Sequence, residues 1–279
     1  MTTYTISPEI QDKVKFLTKN LEVFRLDLEK NDYVHHKNEF FNIMNNFWEF
    51  AASMNDKEAY EYFEHSQYFT KYRSFFSSRE QYYVRTIEAI EAVNIMTKSF
   101  KENINFYDLL ERKMAKENYL KTSYEIEMMD LEGSKQLVMV GCGPLPETVL
   151  YLYENTELDE IIGLDYNQEA VYMGGEMLNS VGNTSRVKLI HCDGLKYDYK
   201  DADIIFVANF VTPKIKVLQQ IANTAKNGAK VLVRTPILLG KMLYESAING
   251  LPSRLTLRKK GNVNPYFLDQ SLLLEKLDL

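Results

Sequence analysis

The residues best suited to chemistry are a glycine-rich loop and two acids that follow it. The loop covers residues 141–148, has the sequence GCGPLPET, and comes directly after the candidate strand 136–140, which is apolar apart from Gln136. Glycine at such a turn lets the backbone approach a ligand at the carboxyl end of a strand. Asp165 and Asp193 each lie at the end of a later candidate strand. One such carboxylate can accept hydrogen bonds from ribose hydroxyls and the other from an adenine amino group, so the pattern favours an adenosyl ligand.

The loop also indicates what this ligand lacks. A pyrophosphate would require a third glycine and a basic neighbour, whereas Pro144 and Pro146 stiffen the loop here. We therefore predict a cationic adenosyl sulfonium, S-adenosylmethionine, as co-substrate. The competing interpretation is that both acids are ordinary polar residues of the loops that end strands. The residues predicted to bind the co-substrate are Gly141, Cys142, Gly143, Pro144, Leu145, Asp165, Tyr166, Asp193, Gly194, Ala208 and Asn209.

These residues must be positioned by a sheet. The candidate strands are 136–140, 160–164, 187–191, 204–208 and 230–234. The stretches of helical spacing between them are 147–154, 168–181 and 214–224. Alternating β and α units predict a mostly parallel sheet covered by helices. The fold class expected is α/β, a Rossmann-like, doubly wound sheet that binds S-adenosylmethionine.

The N-terminal half has a different pattern. No proline occurs between Pro8 and residue 130, and apolar residues recur three and four positions apart, as from Val14 to Leu28. The pattern predicts helices, and the many aromatic residues are interpreted as packing between them. We therefore expect an all-α domain over 1–132 and a Rossmann-like domain over 133–279.

Composition excludes several classes of protein. A net charge of −6 argues against a surface for nucleic acid or for an anionic membrane, because both require a concentrated positive face. Four histidines and two cysteines leave little for a structural zinc site, so no metal is expected. No signal-peptide pattern is present, which favours the cytoplasm. The expected partner is a small molecule, and a homodimer is one open alternative for the oligomeric state.

Three segments of the C-terminal half resemble the nicotianamine synthase family, which plants, archaea and metallophore-making bacteria share. Residues 140–148 are similar to its signature loop, whose double proline is seldom found in ordinary methyltransferases. Residues 233–235 with Gly240 and the Leu-Tyr pair 243–244 resemble its strand-Arg-Ser/Thr segment, and 261–264 resemble its late Val-Asn segment.

Two segments of the N-terminal half extend the resemblance. Residues 87–92, with the sequence IEAIEA, resemble the helix that bears the family's catalytic glutamate, which selects Glu88. The spacing between the two segments is longer than in plant and archaeal relatives, so Glu91 and Glu80 remain alternatives. Residues 118–120 resemble the segment that bears a tyrosine beside the active site, which selects Tyr119.

The resemblance implies an aminocarboxypropyl transferase. Members of the family donate the 3-amino-3-carboxypropyl arm of S-adenosylmethionine to an amine and release methylthioadenosine. The chain is similar in size to members of the bacterial metallophore branch, of the staphylopine and pseudopaline type. These members attach one arm to the amino group of histidine. The alternatives are a methyltransferase, since the same loop and acids serve both reactions, and a sensor that binds the co-substrate without consuming it.

Arg234 and Tyr244 are the residues predicted to bind the amino-acid substrate. Arg234 follows an apolar strand, where a guanidinium can bind a carboxylate through two parallel hydrogen bonds. The alternative is an ordinary ion pair with Asp193 or Asp165. Tyr244 is expected as a neighbour of Arg234. Glu88 is expected to accept a proton from the attacking amine, against the simpler interpretation of a solvated glutamate on an amphipathic helix.

Overall fold

The N-terminal part of the chain is helical in the computed structural model, which describes residues 7–182, 184–248, 250–264 and 266–278. The helices are α1 (Pro8–Lys30), α2 (Lys37–Ser53), α3 (Lys57–Glu64), α4 (Gln67–Ser99), α5 (Phe106–Leu109) and α6 (Lys113–Met129). Ser7 caps α1 by accepting a hydrogen bond from the Ile10 amide, and Pro8 occupies its first turn. The predicted helical character is confirmed.

The remainder alternates strands and helices, as the sequence predicts. The strands are β1 (Gln136–Val140), β2 (Glu160–Asp165), β3 (Val187–His191), β4 (Ile204–Val207), β5 (Lys230–Pro236), β6 (Leu255–Asn264) and β7 (Asp269–Lys276). The helices are α7 (Glu147–Asn155), α8 (Gln168–Val181) and α9 (Lys214–Thr224), and a short 3-10 helix covers Leu238–Met242. Each of the five predicted strands is present, with ends that differ by at most two residues.

The described strands form one sheet in the order β3-β2-β1-β4-β5-β7-β6. Strands β1 to β5 pair in parallel, and β6 pairs with β7 in antiparallel fashion. The chain moves outward from β1 through β2 to β3 and then returns to the other side of β1 at β4. The order therefore reverses beside β1, where doubly wound sheets bind ligands at the carboxyl ends of the strands.

The hairpin of β6 and β7 is absent from the sequence-based prediction. Strand β6 carries a run of exposed residues that includes Arg258, Lys259 and Lys260, so it lacks the apolar run that marked the other strands. It lies at the edge of the sheet, where charged side chains discourage pairing with another chain.

Contacts within the chain group it into two compact units. The first unit comprises Met1–Tyr83, Pro236–Tyr244 and Pro265–Leu268, and the second unit comprises Val84–Thr235, Glu245–Asn264 and Asp269–Leu279. The domain boundary at residue 132 that the sequence suggests stays a prediction.

The first unit has an aromatic core. The rings of Phe47 and Phe76 stack with 4.7 Å between their centroids, and Phe24 meets Phe47 edge-on at 5.6 Å. Leu17 and Leu21 of α1 are fully buried. Aromatic pairs of this kind stabilise a core beyond the burial of their area, which agrees with their interpretation as helix packing.

The core of the second unit lies on both faces of the sheet. On one face, Val138, Ile162 and Val231 pack with residues of α9 such as Leu218. On the other, Leu137, Ile161 and Phe206 pack with Val149 of α7 and Met129 of α6. Strands buried on both faces explain why β1, β2, β4 and β5 read as continuous apolar runs. Within the described ranges, no helix is long and apolar enough to cross a membrane.

Candidate active site

The glycine-rich loop turns sharply at the carboxyl end of β1. Gly141 and Gly143 have φ angles of +81° and +67°, which favour glycine because other residues are strained there. The Gly141 amide donates a hydrogen bond to the Leu164 carbonyl at 2.8 Å, and the Gly143 amide donates to Oδ2 of Asp165 at 3.0 Å. The loop and the end of β2 are therefore fixed to each other by backbone donors.

The two predicted acids lie at the ends of neighbouring strands. Oδ1 of Asp165 accepts a second hydrogen bond from the Asn167 amide at 2.9 Å, so the backbone orients both of its oxygens. Asp193 follows β3, and its Oδ1 accepts from the Leu195 amide at 2.9 Å. Parallel strands end at one edge of a sheet, which places both acids on the side of the glycine loop, at the switch point.

Several predicted ligand-binding residues are buried beneath this edge. Cys142 and Leu145 are buried among apolar residues, and burial raises the pKa of the Cys142 thiol. A side chain at Gly194 would meet Val140 at 2.8 Å, so the chain after β3 passes close to the first strand. Pro144, Ala208 and Asn209 are buried as well. These residues therefore determine the path of the backbone at the carboxyl ends of the strands.

Glu88 lies against the glycine loop. A Cβ atom built on Gly143 would be 3.0 Å from Oε2 of Glu88, so the carboxylate occupies the space that the missing side chain leaves. Burial raises the pKa of Glu88 to about 8, and the negative charges of Glu147 and Asp165 add to this rise while Arg85 opposes it. Among the three candidate bases, Glu88 is the one that contacts the loop in the described structure.

Glu147 is an acid of this site to which the sequence analysis assigned no role. It opens α7 within the last residues of the glycine-rich segment, and burial raises its pKa while Arg112 opposes the rise. The guanidinium of Arg112 binds Glu147 and also Oε2 of Glu91, the latter at 2.8 Å. The available signal was position, since Glu147 lies in the first turn of the helix that follows the first strand, where a negative charge is favourable.

The candidate bases Glu91 and Glu80 have other partners. Glu91 forms the ion pair with Arg112. Glu80 belongs to the first unit, is fully buried, and accepts hydrogen bonds from Nε1 of Trp48 and from the Tyr244 hydroxyl, the latter at 2.6 Å. Burial raises the pKa of Glu80 to about 7, although both donors oppose this rise. The structure thus brings Tyr244 together with Glu80.

Tyr119 lines a small apolar cleft in the second unit. Its ring meets Tyr151 edge-on, with 4.4 Å between the centroids, and lies 6.0 Å from Phe106. Glu147 and Asn118 line the same cleft. The placement of Tyr119 near the active site therefore rests on its sharing a cleft with Glu147, and its catalytic role stays a prediction.

Arg234 forms a buried ion pair at the end of β5. Its Nε and Nη2 donate to the two carboxylate oxygens of Glu125 at 2.9 and 2.7 Å, and Nη2 also donates to the Thr122 hydroxyl. The carboxylate that it binds here is thus neither Asp165 nor Asp193. Because Glu125 is fully buried in α6, the parallel hydrogen bonds already compensate the charge of Arg234.

A second arginine contacts Tyr166, the residue that follows Asp165. Arg85 is exposed on α4, and its Nη2 donates a hydrogen bond to the hydroxyl of Tyr166, the residue that follows Asp165. The guanidinium carbon also lies 5.4 Å from the centre of the Tyr166 ring. Tyr166 itself is 59% exposed. Cation–π contacts of this kind orient a guanidinium and leave other donors available.

The site has the charge distribution of a pocket for a cation. The negative charges of Glu147 and Asp165 act on Glu88, and Arg112 compensates part of the charge of Glu147. Clustered carboxylates raise one another's pKa values and attract positively charged groups. A carboxyl group with a pKa near 8 exchanges its proton readily at neutral pH, which is the property a general base requires.

Replacing Gly143 by alanine tests the close contact of Glu88 with the loop. The added methyl group would meet the Glu88 carboxylate, and the positive φ would cost about 1–2 kcal/mol. We expect a lower temperature of thermal unfolding. Gly175 is the matched control because it lies inside α8 with nothing within 4 Å of an added Cβ, so G175A should stabilise by up to about 1 kcal/mol. Equal effects of the two substitutions would contradict the described contact.

Comparison with solved structures identifies proteins of the same fold. The chain is similar to the nicotianamine synthase MtNAS, in a glutamate-to-glutamine mutant crystallised in complex with S-adenosylmethionine, with a TM-score of 0.75. The sequences are 14% identical, and the match covers 98% of this chain and 100% of the other. MtNAS in complex with MTA and tNA gives a TM-score of 0.75 at 15% identity over the same shares.

No protein-family model matches the sequence, and no curated protein is significantly similar to it. The comparison with MtNAS covers 98% of the chain and concerns the fold. The resemblance to nicotianamine synthases that the motifs suggested is confirmed at that level, as is the α/β fold class with a helical N-terminal region.

Proposed function

We propose that the protein transfers the 3-amino-3-carboxypropyl arm of S-adenosylmethionine to the amino group of an amino acid and releases methylthioadenosine. The leading candidate for the acceptor is histidine, and the product belongs to the biosynthesis of a nicotianamine-like metallophore. The observation that carries the proposal is the position of Glu88, a carboxylate that lies against Gly143 of the predicted co-substrate loop.

The donor site is formed by the carboxyl ends of the first strands. Asp165 binds the ribose hydroxyls, and Asp193 accepts from the adenine amino group, each oriented by the backbone amides described above. The positive sulfonium is stabilised by the negative charges of Glu147 and Asp165, and its own charge favours the ionised form of Glu88. The loop offers backbone donors without a basic side chain, which suits an adenosyl group that carries no phosphate.

The reaction requires little from the protein beyond positioning and one proton transfer. The lone pair of the acceptor amine attacks the methylene carbon bound to sulfur, a C–N bond forms, and the electrons of the breaking C–S bond move to sulfur. Methylthioadenosine leaves as a neutral molecule, because the positive charge of the sulfonium is lost in this step. Glu88 accepts the proton of the acceptor ammonium, so that the nitrogen lone pair becomes available.

The comparisons support the proposal through what is bound in the related structures. MtNAS has been crystallised with S-adenosylmethionine and, separately, with MTA and tNA. One of these crystals contains a mutant in which a glutamate is replaced by glutamine. The present chain has the same fold, with a glutamate against its glycine loop.

Product analysis tests the proposal. Purified protein is incubated with S-adenosylmethionine and single amino acids, and the products are identified by mass spectrometry. Methylthioadenosine together with an acceptor extended by the four-carbon arm is the expected result. S-adenosylhomocysteine would instead identify a methyltransferase, and binding without consumption in every acceptor mixture would identify a sensor. Methylthioadenosine formed without any acceptor would indicate that the donor's own amine attacks and closes a four-membered ring.

A further inference from the structure

Both substrates of the proposed reaction carry an α-carboxylate, and the binding of a carboxylate requires a cation. The donor carries an α-carboxylate at the end of the arm that is transferred, and an amino-acid acceptor carries another. A carboxylate that enters a site containing Glu88, Glu147 and Asp165 meets negative charge on several sides. A guanidinium binds a carboxylate through parallel hydrogen bonds and offsets this repulsion. The site therefore needs an arginine or a lysine whose charge is available.

Several other cations of the second unit, buried or half-buried, already have partners. Arg234 binds Glu125, and Arg112 binds both Glu91 and Glu147. Lys121 binds Asp269, and Nζ of Lys214 donates to the carbonyls of Asn209 and Arg234 at 3.0 and 2.8 Å. Each of these groups would have to give up an existing partner in order to bind a substrate, which is costly where the pair is buried.

Arg85 differs in its position and in its partner. It lies three residues before Glu88 on α4, so both side chains project from one face of the helix. Its charge opposes the rise in the pKa of Glu88, which places the guanidinium within electrostatic reach of the carboxylate. Its described hydrogen-bond partner is the neutral hydroxyl of Tyr166. An ion pair with an acid of the protein is therefore not what holds the guanidinium in place.

Tyr166 connects this arginine to the donor site. It directly follows Asp165, whose two oxygens are held by the amides of Gly143 and Asn167. A guanidinium that rests on the Tyr166 ring and hydroxyl keeps the remainder of its five N–H donors for another group. The contact holds the guanidinium of Arg85 against Tyr166, the residue that follows Asp165. Arg85 itself projects from the helix that carries Glu88.

We propose that Arg85 binds the α-carboxylate of an amino-acid substrate and that Tyr166 holds its guanidinium in position. The inference rests on the proposed function, because that function supplies the carboxylates. Two sources share this chemistry, namely the methionine portion of the donor and the acceptor. In either case Arg85 acts on binding, and it leaves to Glu88 the proton of the attacking amine.

Equilibrium binding tests this role without turnover. R85M and R85K are compared with the wild type by calorimetry, with S-adenosylmethionine and methylthioadenosine as donor-site ligands. Histidine and histamine are then titrated into protein saturated with methylthioadenosine. Methylthioadenosine and histamine are the informative ligands, because each lacks the carboxylate of its counterpart. K98M is the matched control, since Lys98 is a half-exposed cation in the last turn of the same helix.

We expect R85M to weaken binding of S-adenosylmethionine or of histidine by about 10- to 100-fold, the cost of losing a hydrogen bond between charged groups. The carboxylate-free counterpart should keep its affinity, R85K should restore part of the loss, and K98M should behave as the wild type. A loss confined to S-adenosylmethionine assigns the donor carboxylate, and one confined to histidine assigns the acceptor carboxylate.

Two results would overturn the role of Arg85. One is an unchanged affinity for all four ligands, and the other is an equal loss for methylthioadenosine and S-adenosylmethionine, which would mean that Arg85 acts on the adenosyl group through Tyr166. The proposed function can fail separately, since it depends on products and this test depends on ratios of affinity. If the wild type binds S-adenosylmethionine and releases no methylthioadenosine, the proposed function is refuted. The effect of R85M on the binding affinities can still be measured in that case.

Discussion

Replacing Glu88 by glutamine should lower turnover by at least about 100-fold, the usual contribution of a positioned general base. The amide keeps the size of the side chain that lies against Gly143, so the loop and Asp165 should retain their arrangement. Affinity for S-adenosylmethionine should change little, apart from the loss of one negative charge near the sulfonium. Release of methylthioadenosine measures the first quantity, and calorimetry measures the second.

The pH dependence of the wild type should carry the signature of the same group. Glu88 must be ionised to accept a proton, and its pKa is about 8 because burial and the charges of Glu147 and Asp165 favour the neutral form. The ratio kcat/KM should therefore rise with pH up to about 8 and level above it. Binding of the cationic donor favours the ionised carboxylate, so kcat should reach its plateau at a lower pH than kcat/KM does.

Stability offers a readout of Glu88 that is independent of activity. Its pKa is raised from the ordinary value of 4.5 to about 8 in the folded protein, so the folded state holds a proton that the unfolded state releases between these values. The wild type consequently loses stability as the pH rises through this interval. E88Q has no such group. It should therefore be more stable than the wild type at pH 9, and the difference should vanish near pH 4.5.

The activities of E80Q and E91Q are the comparison for the activity of E88Q. E91Q removes one partner of Arg112, whereas E80Q affects the hydrogen bonds of Trp48 and Tyr244. Neither carboxylate contacts Gly143 among the described contacts, and both variants should retain much more activity than E88Q. A fully active E88Q together with an inactive E80Q or E91Q would transfer the role of base to the other residue.

The sheet could be predicted from the sequence because its strands are buried on both faces. Runs such as 137–140 and 204–208 are apolar without interruption, and the helices between them have clear spacing. The ends of these strands carry Asp165, Asp193 and the glycine loop. Their approach to one another then follows from the geometry of a parallel sheet, which brings the carboxyl ends of its strands to one edge.

Contacts that depend on long-range packing could not be predicted in this way. Arg234 ends an apolar strand, and a substrate or a nearby acid was the expected partner. The structure instead gives it Glu125, a residue 109 positions away in α6. A polar residue on a helix that is otherwise read as amphipathic gives no sign of being buried. The position of Glu88 at Gly143 was accessible only through the family resemblance, because spacing alone does not place a helix against a loop.

The pair formed by Arg234 and Glu125 is expected to have the largest single effect on stability. Both side chains are buried, and although burial opposes ionisation of Glu125, the charge and hydrogen bonds of Arg234 keep the pKa of Glu125 below its ordinary value. R234A leaves this carboxylate buried without its partner, which typically costs about 3–5 kcal/mol. Chemical denaturation should show a lower free energy of unfolding for R234A than for the wild type.

The loss of stability in R234A should depend on pH, because the unpaired charge of Glu125 causes it. Without Arg234 the pKa of Glu125 rises, so the carboxyl group becomes neutral as the pH is lowered and the penalty shrinks; the deficit at pH 5 should be smaller than at pH 8. E125Q/R234A should recover part of the loss at pH 8 for the same reason.

The matched control is R258A, which breaks a half-exposed pair with Glu275 and should cost no more than about 1 kcal/mol. Equal costs for R234A and R258A would mean that the buried pair contributes no more than a surface ion pair, and that Arg234 is as free to bind a substrate carboxylate as the sequence suggested.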